Sequence, residues 1–199
     1  MTRFLFKDRD GQTTLPKELQ SGLIPKTINT MGDLDEFEEA NIAIGLSWLE
    51  NYIKDDYLNF DFWITLHKRL FNEVWRWAGK IRHHELANPY FSLPHQIRPQ
   101  LKKLEDDIKY WFEYQSFSNQ EIAAHFHEKI EAIHPFPNGN GRFGRILTEY
   151  ICQRKGHQIP TWGEIFRENP PIRRSTYIES LNHARNTHRY DLLIQFMFN

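Results

Sequence analysis

Residues 134–145 read His134-Pro135-Phe136-Pro137-Asn138-Gly139-Asn140-Gly141-Arg142-Phe143-Gly144-Arg145. In the segment just before this stretch, apolar residues recur at helical spacing, which indicates a helix. Pro135 disfavours helical backbone at the residue before it, so we expect a helix to end at His134. The residues 137–139 do not suit regular structure, and a new helix is predicted to begin at about Asn140. The stretch therefore predicts a helix–loop–helix whose second helix starts among glycines, where N–H groups without intrahelical partners favour an anion.

Three side chains of this stretch suit chemistry on a polyphosphate. Arg142 and Arg145 lie three residues apart, on one face of the predicted helix. Each guanidinium group can bind phosphate oxygens through two N–H groups. A histidine such as His134 has an ordinary pKa of about 6.5, which suits proton abstraction near neutral pH. Together they indicate attack of a hydroxyl on phosphorus. Taken singly, the arginines also fit a solvated helix face and the histidine a helix cap.

A dinucleotide-binding loop is the first alternative, because Gly139, Gly141 and Gly144 spell Gly-x-Gly-x-x-Gly. That fingerprint requires a strand directly before its first glycine. Residues 123–133 instead interleave charged and apolar residues at helical spacing, so we reject this interpretation. The sequence Gly-x-x-x-x-Gly-Lys-Ser/Thr does not occur, which excludes a Walker-type loop.

A zinc site is the second alternative. His127, Glu131 and His134 are spaced i, i+4 and i+7, with His125 close by. The pattern is similar to a zincin helix, but Glu131 stands where the second histidine belongs. Because Pro135 ends the helix, His134 need not share the face of the other two. We therefore favour the phosphate interpretation over a catalytic zinc.

The remaining periodicity predicts a mainly α fold. Residues 1–30 carry scattered Gly, Pro and Thr and are predicted to be an extended arm packed on a single helical domain of residues 31–199. We expect helices from Asp33 and over about 59–75, 98–114, 118–133, 140–155, 173–185 and 190–197. Ser118 and Glu121 have the spacing of a capping box. Between Ile81 and Pro94 the helical period is lost, which predicts a short hairpin or flap.

Composition excludes several classes of protein. The 199 residues include 25 Lys and Arg against 26 Asp and Glu, so bulk charge does not favour nucleic acid as a partner. Cys152 is the only cysteine, which excludes an internal disulfide and a cysteine-based zinc site. No apolar run has the length of a signal peptide core or a membrane span, so we expect a cytoplasmic protein without a membrane partner.

The 134–145 stretch resembles the motif of the Fic family, His-x-Phe-x-Asp/Glu-Gly-Asn-Gly-Arg-x-x-Arg. The matching residues are His134, Phe136, Gly139, Asn140, Gly141, Arg142 and Arg145. The segments 66–71, 77–82 and 177–181 are similar to stretches that flank this motif in the family. Segments 22–25 and 34–42 resemble the subgroup called mobile mystery protein B. The resemblance implies a Fic-type helical bundle with a small β-hairpin flap.

The family resemblance implies an enzyme that transfers AMP from ATP to a Tyr, Ser or Thr hydroxyl of a protein target, including itself, with Mg²⁺. His134 would be the general base, and Phe136 would anchor the loop. Phosphate binding would fall to Gly139, Asn140, Gly141, Arg142 and Arg145. Segment 86–94, with Tyr90, Phe91, Ser92 and Leu93, would be the flap that docks the target by main-chain pairing. Arg145 favours a triphosphate, but UMP, phosphocholine or phosphate transfer remains open.

One position departs from the family motif. Asn138 stands where the family usually has the acidic magnesium ligand. An amide oxygen carries no charge for a hard cation that prefers carboxylates. We expect weaker metal binding with slower transfer, or a different leaving group. The alternative function is a degenerate nucleotide-binding regulator that works beside a partner protein.

An inhibitory glutamate is a further implication of the resemblance. Family members are often inhibited by a helix carrying Ser/Thr-x-x-x-Glu-Gly/Asn, whose Glu pairs with the second arginine of the motif. This chain has no full match, but Glu36, Glu38 and Glu39 are candidates for a looser version. The alternative is that they are solvated acids in the first turns of a helix, where the macrodipole favours them.

Overall fold

Helices make up nearly all the regular structure of residues 20–199, the part of the chain that this computed structural model describes. Within that part there are seven α-helices. They are α1 (Met31–Glu50), α2 (Phe60–Phe71), α3 (Ile97–Tyr114), α4 (Asn119–Ile133), α5 (Asn140–Arg154), α6 (Pro170–Thr187) and α7 (Asp191–Phe198), with 3₁₀ turns at Pro94–Gln96 and Glu164–Phe166. The predicted mainly α class is confirmed.

The described residues form two compact units. The first contains the described residues up to His83 together with Pro135–Phe143, and the second contains His84–His134 and Gly144–Asn199. Helix α5 therefore begins in the first unit and ends in the second. The predicted division into an arm and a single helical domain stays a prediction.

Helices α1 and α2 build the core of the first unit. Thr30 and Asp33 form a capping box that starts α1. Gly45 of α1 lies against the α2 backbone, where a Cβ would stand 2.9 Å from the Arg69 carbonyl oxygen. Asn41 also binds α2, because its Nδ2 donates to the same carbonyl at 3.2 Å. Gly45 and Asn41 therefore allow the two helices to lie close together while the Arg69 carbonyl, in the last turn of α2, stays hydrogen-bonded.

The first unit also contains the described end of the predicted arm. The Ile24 amide donates to the Val74 carbonyl and the Arg76 amide to the Gly22 carbonyl, each at 2.9 Å, around an antiparallel bridge between Leu23 and Trp75. Helix α2 ends at Phe71 rather than near Trp75 as predicted, because residues 74–76 lie in turns around this bridge and bond to residues 22–24. Residues 1–19 of the predicted arm lie outside the described residues.

Helix α4 is central to the second unit. Its Ala123 and Ala124 belong to a buried cluster with residues of α6 and α7. The predicted capping box is confirmed: the Ser118 amide donates to Glu121 Oε2 at 2.9 Å, and the Glu121 amide donates to Ser118 Oγ at 3.3 Å. Helix α6 begins at Pro170, three residues before its predicted start, because proline lacks only an N–H that the first turn leaves unpaired anyway.

The predicted flap, residues 86–94, differs from a hairpin. It contains no strand, as the described residues show, and instead turns at Asn88, whose carbonyl accepts the Phe91 amide at 3.1 Å. The Ser92 amide then donates to the Ala132 carbonyl at 3.1 Å, near the end of α4. Pro89 and Pro94 have no N–H to give to a strand partner, so a regular pair of strands does not form here. Across residues 20–199, no helix carries the long apolar stretch that a membrane crossing requires.

Candidate active site

His134 caps the C-terminal end of α4. Its backbone is left-handed, with φ of 48°, and its amide donates to the Ile130 carbonyl at 3.1 Å. Ring atom Nδ1 lies 3.3 Å from the Glu131 carbonyl oxygen, which can only accept a hydrogen bond. The proton therefore belongs on Nδ1, and Nε2 carries the lone pair that a general base needs. The Phe91 ring stacks on the imidazole at a centroid distance of 3.7 Å, so the predicted flap contacts the predicted base within the second unit.

The loop after His134 is closed by the side chain of Asn140. Its Oδ1 accepts the Phe136 amide at 2.9 Å and its Nδ2 donates to the Phe136 carbonyl at 2.8 Å. The Phe136 ring is buried, at 1 % exposure. Gly139 has a φ of 77°, and a Cβ there would lie 2.7 Å from the Phe71 ring, so only glycine fits. The first intrahelical bond of α5 runs from the Phe143 amide to the Gly139 carbonyl, which leaves Asn140, Gly141 and Arg142 as the helix's first turn.

Arg142 forms an ion pair with Glu38, one of the three candidate inhibitory glutamates. Its Nη1 atom lies 2.7 Å from Glu38 Oε2, and the guanidinium lies over the Phe71 ring. Glu38 is buried, and its Oε1 accepts the Trp75 indole N–H at 2.7 Å. Both partners of Glu38 are in the first unit. The pairing involves the first arginine of the motif, whereas the family resemblance implied the second.

Glu36 and Glu39 are exposed, unlike Glu38. The buried residues of α1 are Leu34, Glu38, Asn41, Gly45 and Leu49, which recur every three or four positions. The interpretation of the acids as solvated first-turn residues is therefore wrong for Glu38, and this spacing is the signal that separates it from its neighbours.

Arg145 lies in the second unit over the ring of Tyr177, at 6.0 Å from the centroid. The Tyr177 hydroxyl lies 2.8 Å from Nε2 of the fully buried His127. Burial raises the pKa of Tyr177, so it stays a neutral donor, and burial lowers the pKa of His127 to about 3, so that imidazole stays an acceptor. His127 therefore has a structural partner on Nε2 rather than the open lone pair that a zinc ligand requires.

Glu131, the second residue of the alternative zinc pattern, is buried against Gly144. A Cβ at Gly144 would overlap with Glu131 Oε1, an atom that has no hydrogen-bond partner. Burial raises the pKa of Glu131 to about 7, while Arg145 and Arg185 act in the opposite direction. The described residues contain no group of three His, Cys, Asp or Glu side chains placed to hold a metal ion.

Asn138, the predicted weak magnesium ligand, has its oxygen engaged. Oδ1 accepts the Gly139 amide at 2.6 Å. A neutral oxygen that already accepts a hydrogen bond is a poor ligand for Mg²⁺, which prefers carboxylates. These residues therefore do not fit a magnesium ion held by the protein itself, and Mg²⁺ as a cofactor stays a prediction.

His67 is the residue of this site that the sequence interpretation missed. It is fully buried on α2 and stacks on Phe136 at a centroid distance of 3.6 Å. Its Nδ1 accepts the Gly79 amide at 3.0 Å, and its Nε2 lies 3.1 Å from the Asn138 carbonyl oxygen. Burial is the main cause that lowers its pKa to about 3. The segment 66–71 carries only a flanking resemblance to the family, but a histidine at a core position of an apolar helix is itself a signal.

The flap residues lie on the second unit's own helices. The Tyr90 hydroxyl donates to Asn186 Oδ1 at 3.1 Å, and the Arg185 guanidinium lies over the Tyr90 ring. Ser92 hydrogen-bonds to Gln100 through its side chain. Leu93 is 41 % exposed. The segment thus has a fixed course past His134, and its docking role stays a prediction.

Comparison with known proteins agrees with this motif. Residues 57–152 match the model of the Fic/DOC family. The probable protein adenylyltransferase y4lH of Sinorhizobium fredii is 26 % identical over 138 residues, which cover 66 % of this chain and 70 % of that protein. Protein adenylyltransferase fic-1 of Caenorhabditis elegans is 29 % identical over 146 residues, 69 % of this chain but 28 % of that protein.

The fold is also found among solved structures. The crystal structure of the BepC protein from Bartonella tribocorum, with bound AMPPNP, has a TM-score of 0.68 at 20 % identity and covers 91 % of this chain and 96 % of its own. The resemblance to the mobile mystery protein B subgroup stays a prediction. The family match over residues 57–152, these relatives and the shared helical fold together support a Fic domain in this chain.

Proposed function

We propose that this chain transfers AMP from ATP to a hydroxyl group of a protein. In this reaction the hydroxyl oxygen attacks the α-phosphorus, the bond from that phosphorus to the bridging oxygen breaks, and pyrophosphate leaves. The observation that carries the proposal is the loop from His134 to Arg145, which supplies a histidine base and two arginines around the start of α5. Relatives named protein adenylyltransferases support it.

His134 accepts the proton of the attacking hydroxyl. The Glu131 carbonyl fixes the ring proton on Nδ1, so Nε2 is the basic atom. Stacking on Phe91 limits the rotation of the imidazole. A base held in one orientation loses less freedom when the target hydroxyl arrives.

Arg142, Arg145 and the first turn of α5 bind the phosphates of ATP. The amides of Gly139, Asn140 and Gly141 belong to a helix start, which favours anions. Arg142 binds the β-phosphate in competition with Glu38, because that carboxylate occupies Nη1 and neutralises the guanidinium charge. Arg145 binds the γ-phosphate and selects a triphosphate donor. Basal transfer is therefore slow while Glu38 holds Arg142.

The target segment binds beside His134 along residues 86–94. Phe91 contacts the base, and the Ser92 amide is tied to α4, so this stretch keeps a defined backbone course for a partner strand to follow. We infer that the target is a protein with an exposed Tyr, Ser or Thr, including this chain itself. No step of this proposal is assigned to Mg²⁺. We also expect the protein to be cytoplasmic.

A nucleotide-binding regulator is the second candidate function. Two observations favour it: Asn138 lacks the negative charge expected of the metal ligand, and Glu38 neutralises Arg142. Such a protein would bind ATP and act through a regulatory partner without transferring AMP.

Intact mass after incubation with ATP and Mg²⁺, alone and with cell lysate, tests the proposal. Transfer adds one AMP group to a protein, and it should disappear in His134→Ala. The matched control is His188→Ala, because His188 is also a left-handed helix cap, with φ of 57°, but lies outside the motif. Tight ATP binding with no AMP transferred by the wild-type protein supports the regulator. Equal transfer by wild type and His134→Ala contradicts the proposed mechanism.

A further inference from the structure

We propose that His67 is a positioning residue that orients the Asn138–Gly139 peptide for phosphate binding. The inference rests on the proposed function, because it names the group that sets the geometry of the phosphate loop. His67 touches neither the donor nor the target in this scheme. It acts through one backbone carbonyl.

The hydrogen bonds of His67 fix which ring nitrogen carries the proton. Nδ1 accepts the N–H of Gly79 at 3.0 Å, so Nδ1 must hold a lone pair. Nε2 lies 3.1 Å from the Asn138 carbonyl oxygen, which only accepts, so Nε2 must carry the proton. The two contacts agree on a single neutral tautomer, and a protonated ring would lose the bond to Gly79.

Holding the Asn138 carbonyl determines where the next N–H points. The peptide that joins Asn138 to Gly139 is planar, and its carbonyl and N–H point in opposite directions. Because His67 binds the carbonyl oxygen, the Gly139 N–H is directed away from the imidazole. This N–H now donates to Asn138 Oδ1 at 2.6 Å, so Oδ1 occupies the acceptor position in front of the N–H. We infer that a phosphate oxygen of ATP takes that place.

Aromatic rings pack against the imidazole of His67 and hold it beside the loop. Phe136 stacks on it at 3.6 Å, and Phe143 meets its face edge-on at 5.7 Å. Phe71, at 4.8 Å, touches the same imidazole and also lies under Arg142 and against Gly139. These rings enclose His67, which is fully buried. All these residues belong to the first unit, so the contacts of His67 named here lie within that unit.

Two substitutions separate the hydrogen bond from the packing. His67→Gln places an amide donor near the former Nε2 and loses the acceptor toward Gly79. His67→Asn keeps an acceptor near the former Nδ1 and loses the donor toward Asn138. Both lose the ring that stacks on Phe136, so that loss cancels in the comparison. Trp63→Phe is the stability control, since it removes a buried hydrogen bond that the same helix donates to the Tyr57 carbonyl.

ATP affinity, measured by calorimetry on folded protein, is the main readout. We expect His67→Asn to bind ATP about tenfold more weakly than His67→Gln, which is the effect of losing about 1.4 kcal/mol. Trp63→Phe should lower the melting temperature and leave ATP affinity within about twofold of wild type, because the hydrogen bond that it loses runs to the Tyr57 carbonyl. Equal ATP affinity in the two His67 variants overturns the positioning role.

The ring nitrogens of wild-type His67 provide a second test that needs no variant to fold. Nitrogen-15 chemical shifts should show Nε2 protonated and Nδ1 bare; the opposite tautomer overturns the inference. The two proposals fail in different ways. Wild-type protein that binds ATP but transfers no AMP contradicts the proposed function and leaves the His67 comparison intact. Wild-type protein that binds no ATP contradicts both.

Discussion

Glu38 and Arg142 form an ion pair with 2.7 Å between Oε2 and Nη1, although 104 sequence positions separate the two residues. The pair occupies a guanidinium that the proposed reaction needs for the β-phosphate of ATP. Glu38 is 4 % exposed, whereas the Arg142 side chain is 34 % exposed, so solvent can still reach the guanidinium. The acid of α1 therefore competes with the nucleotide for one arginine.

Replacing Glu38 tests this competition. We expect Glu38→Gln to raise AMP transfer about tenfold, because a charge-assisted hydrogen bond contributes about 1.5–3 kcal/mol and the neutral amide keeps only part of it. The measurement is the initial rate of AMP incorporation at subsaturating ATP. Glu36→Gln and Glu39→Gln are matched controls, since both acids are exposed on the same helix. Equal rates in all three variants would show that Glu38 does not restrain the site.

Trp75 positions Glu38, so replacing Trp75 should also raise AMP transfer, but by less than replacing Glu38 does. Its indole N–H donates to Glu38 Oε1 at 2.7 Å, and Trp75→Phe removes that bond while keeping an aromatic ring. We expect transfer to rise by less than in Glu38→Gln, and the free energy of unfolding to fall by about 1 kcal/mol. The double variant should be no faster than Glu38→Gln, because Trp75 acts only through Glu38. An additive double variant would contradict that dependence.

Asn138→Asp should strengthen the response to magnesium. The carboxylate supplies the charge that the amide lacks, and it can face the metal once a phosphate oxygen accepts the Gly139 N–H that Asn138 Oδ1 accepts now. We expect the Mg²⁺ concentration for half-maximal transfer to fall about tenfold, and EDTA to abolish the gain. Titration of Mg²⁺ at fixed ATP measures this. A variant whose transfer rate and Mg²⁺ requirement match the wild type would refute the account of Asn138 as a weakened ligand.

Helix beginnings were predictable from sequence where local chemistry marks them. Ser118 with Glu121 gave a capping box, and Pro135 and Gly139 bracketed the loop before α5, which begins at Asn140 as predicted. The end of α2 was not predictable in this way. It depends on residues 22–24, which lie far away in sequence and hydrogen-bond to residues 74–76. Long-range pairing overrides local periodicity at such a boundary.

The candidate site was predictable as a linear motif but not as a set of contacts. His134 and Arg142 were found because their spacing carries chemistry. The choice of Glu38 among three acids depends on which face of α1 is buried, and His67 depends on a carbonyl 71 positions away. Both depend on tertiary structure, although the spacing of Glu38 from Leu34 and Asn41 already indicates that Glu38 lies on the buried face of α1.

Glu131 should make the stability of the protein depend on pH. Its pKa is raised from an ordinary 4.5 to about 7 by burial, so the folded state holds this proton more tightly than the unfolded state. Below about pH 4.5 the carboxyl is neutral in both states and costs nothing. As the pH rises to about 7 the buried group must ionise, and stability falls by about 3 kcal/mol, at 1.36 kcal/mol per pKa unit.

Glu131→Gln removes this titration and leaves a neutral group of similar size against Gly144. Urea unfolding measured from pH 4.5 to 8 should give the variant a flatter profile, with its largest gain over the wild type above about pH 7. Glu121→Gln is the control, because hydrogen bonds from Ser118 lower the pKa of Glu121 and give it the opposite dependence. Glu121→Gln should be less stable than the wild type above the pKa that this carboxyl has in the unfolded state. At acidic pH below that range the two proteins should be equally stable. Parallel profiles for Glu131→Gln and the wild type would mean that the buried carboxyl keeps its ordinary pKa, with Arg145 and Arg185 offsetting the cost of burial.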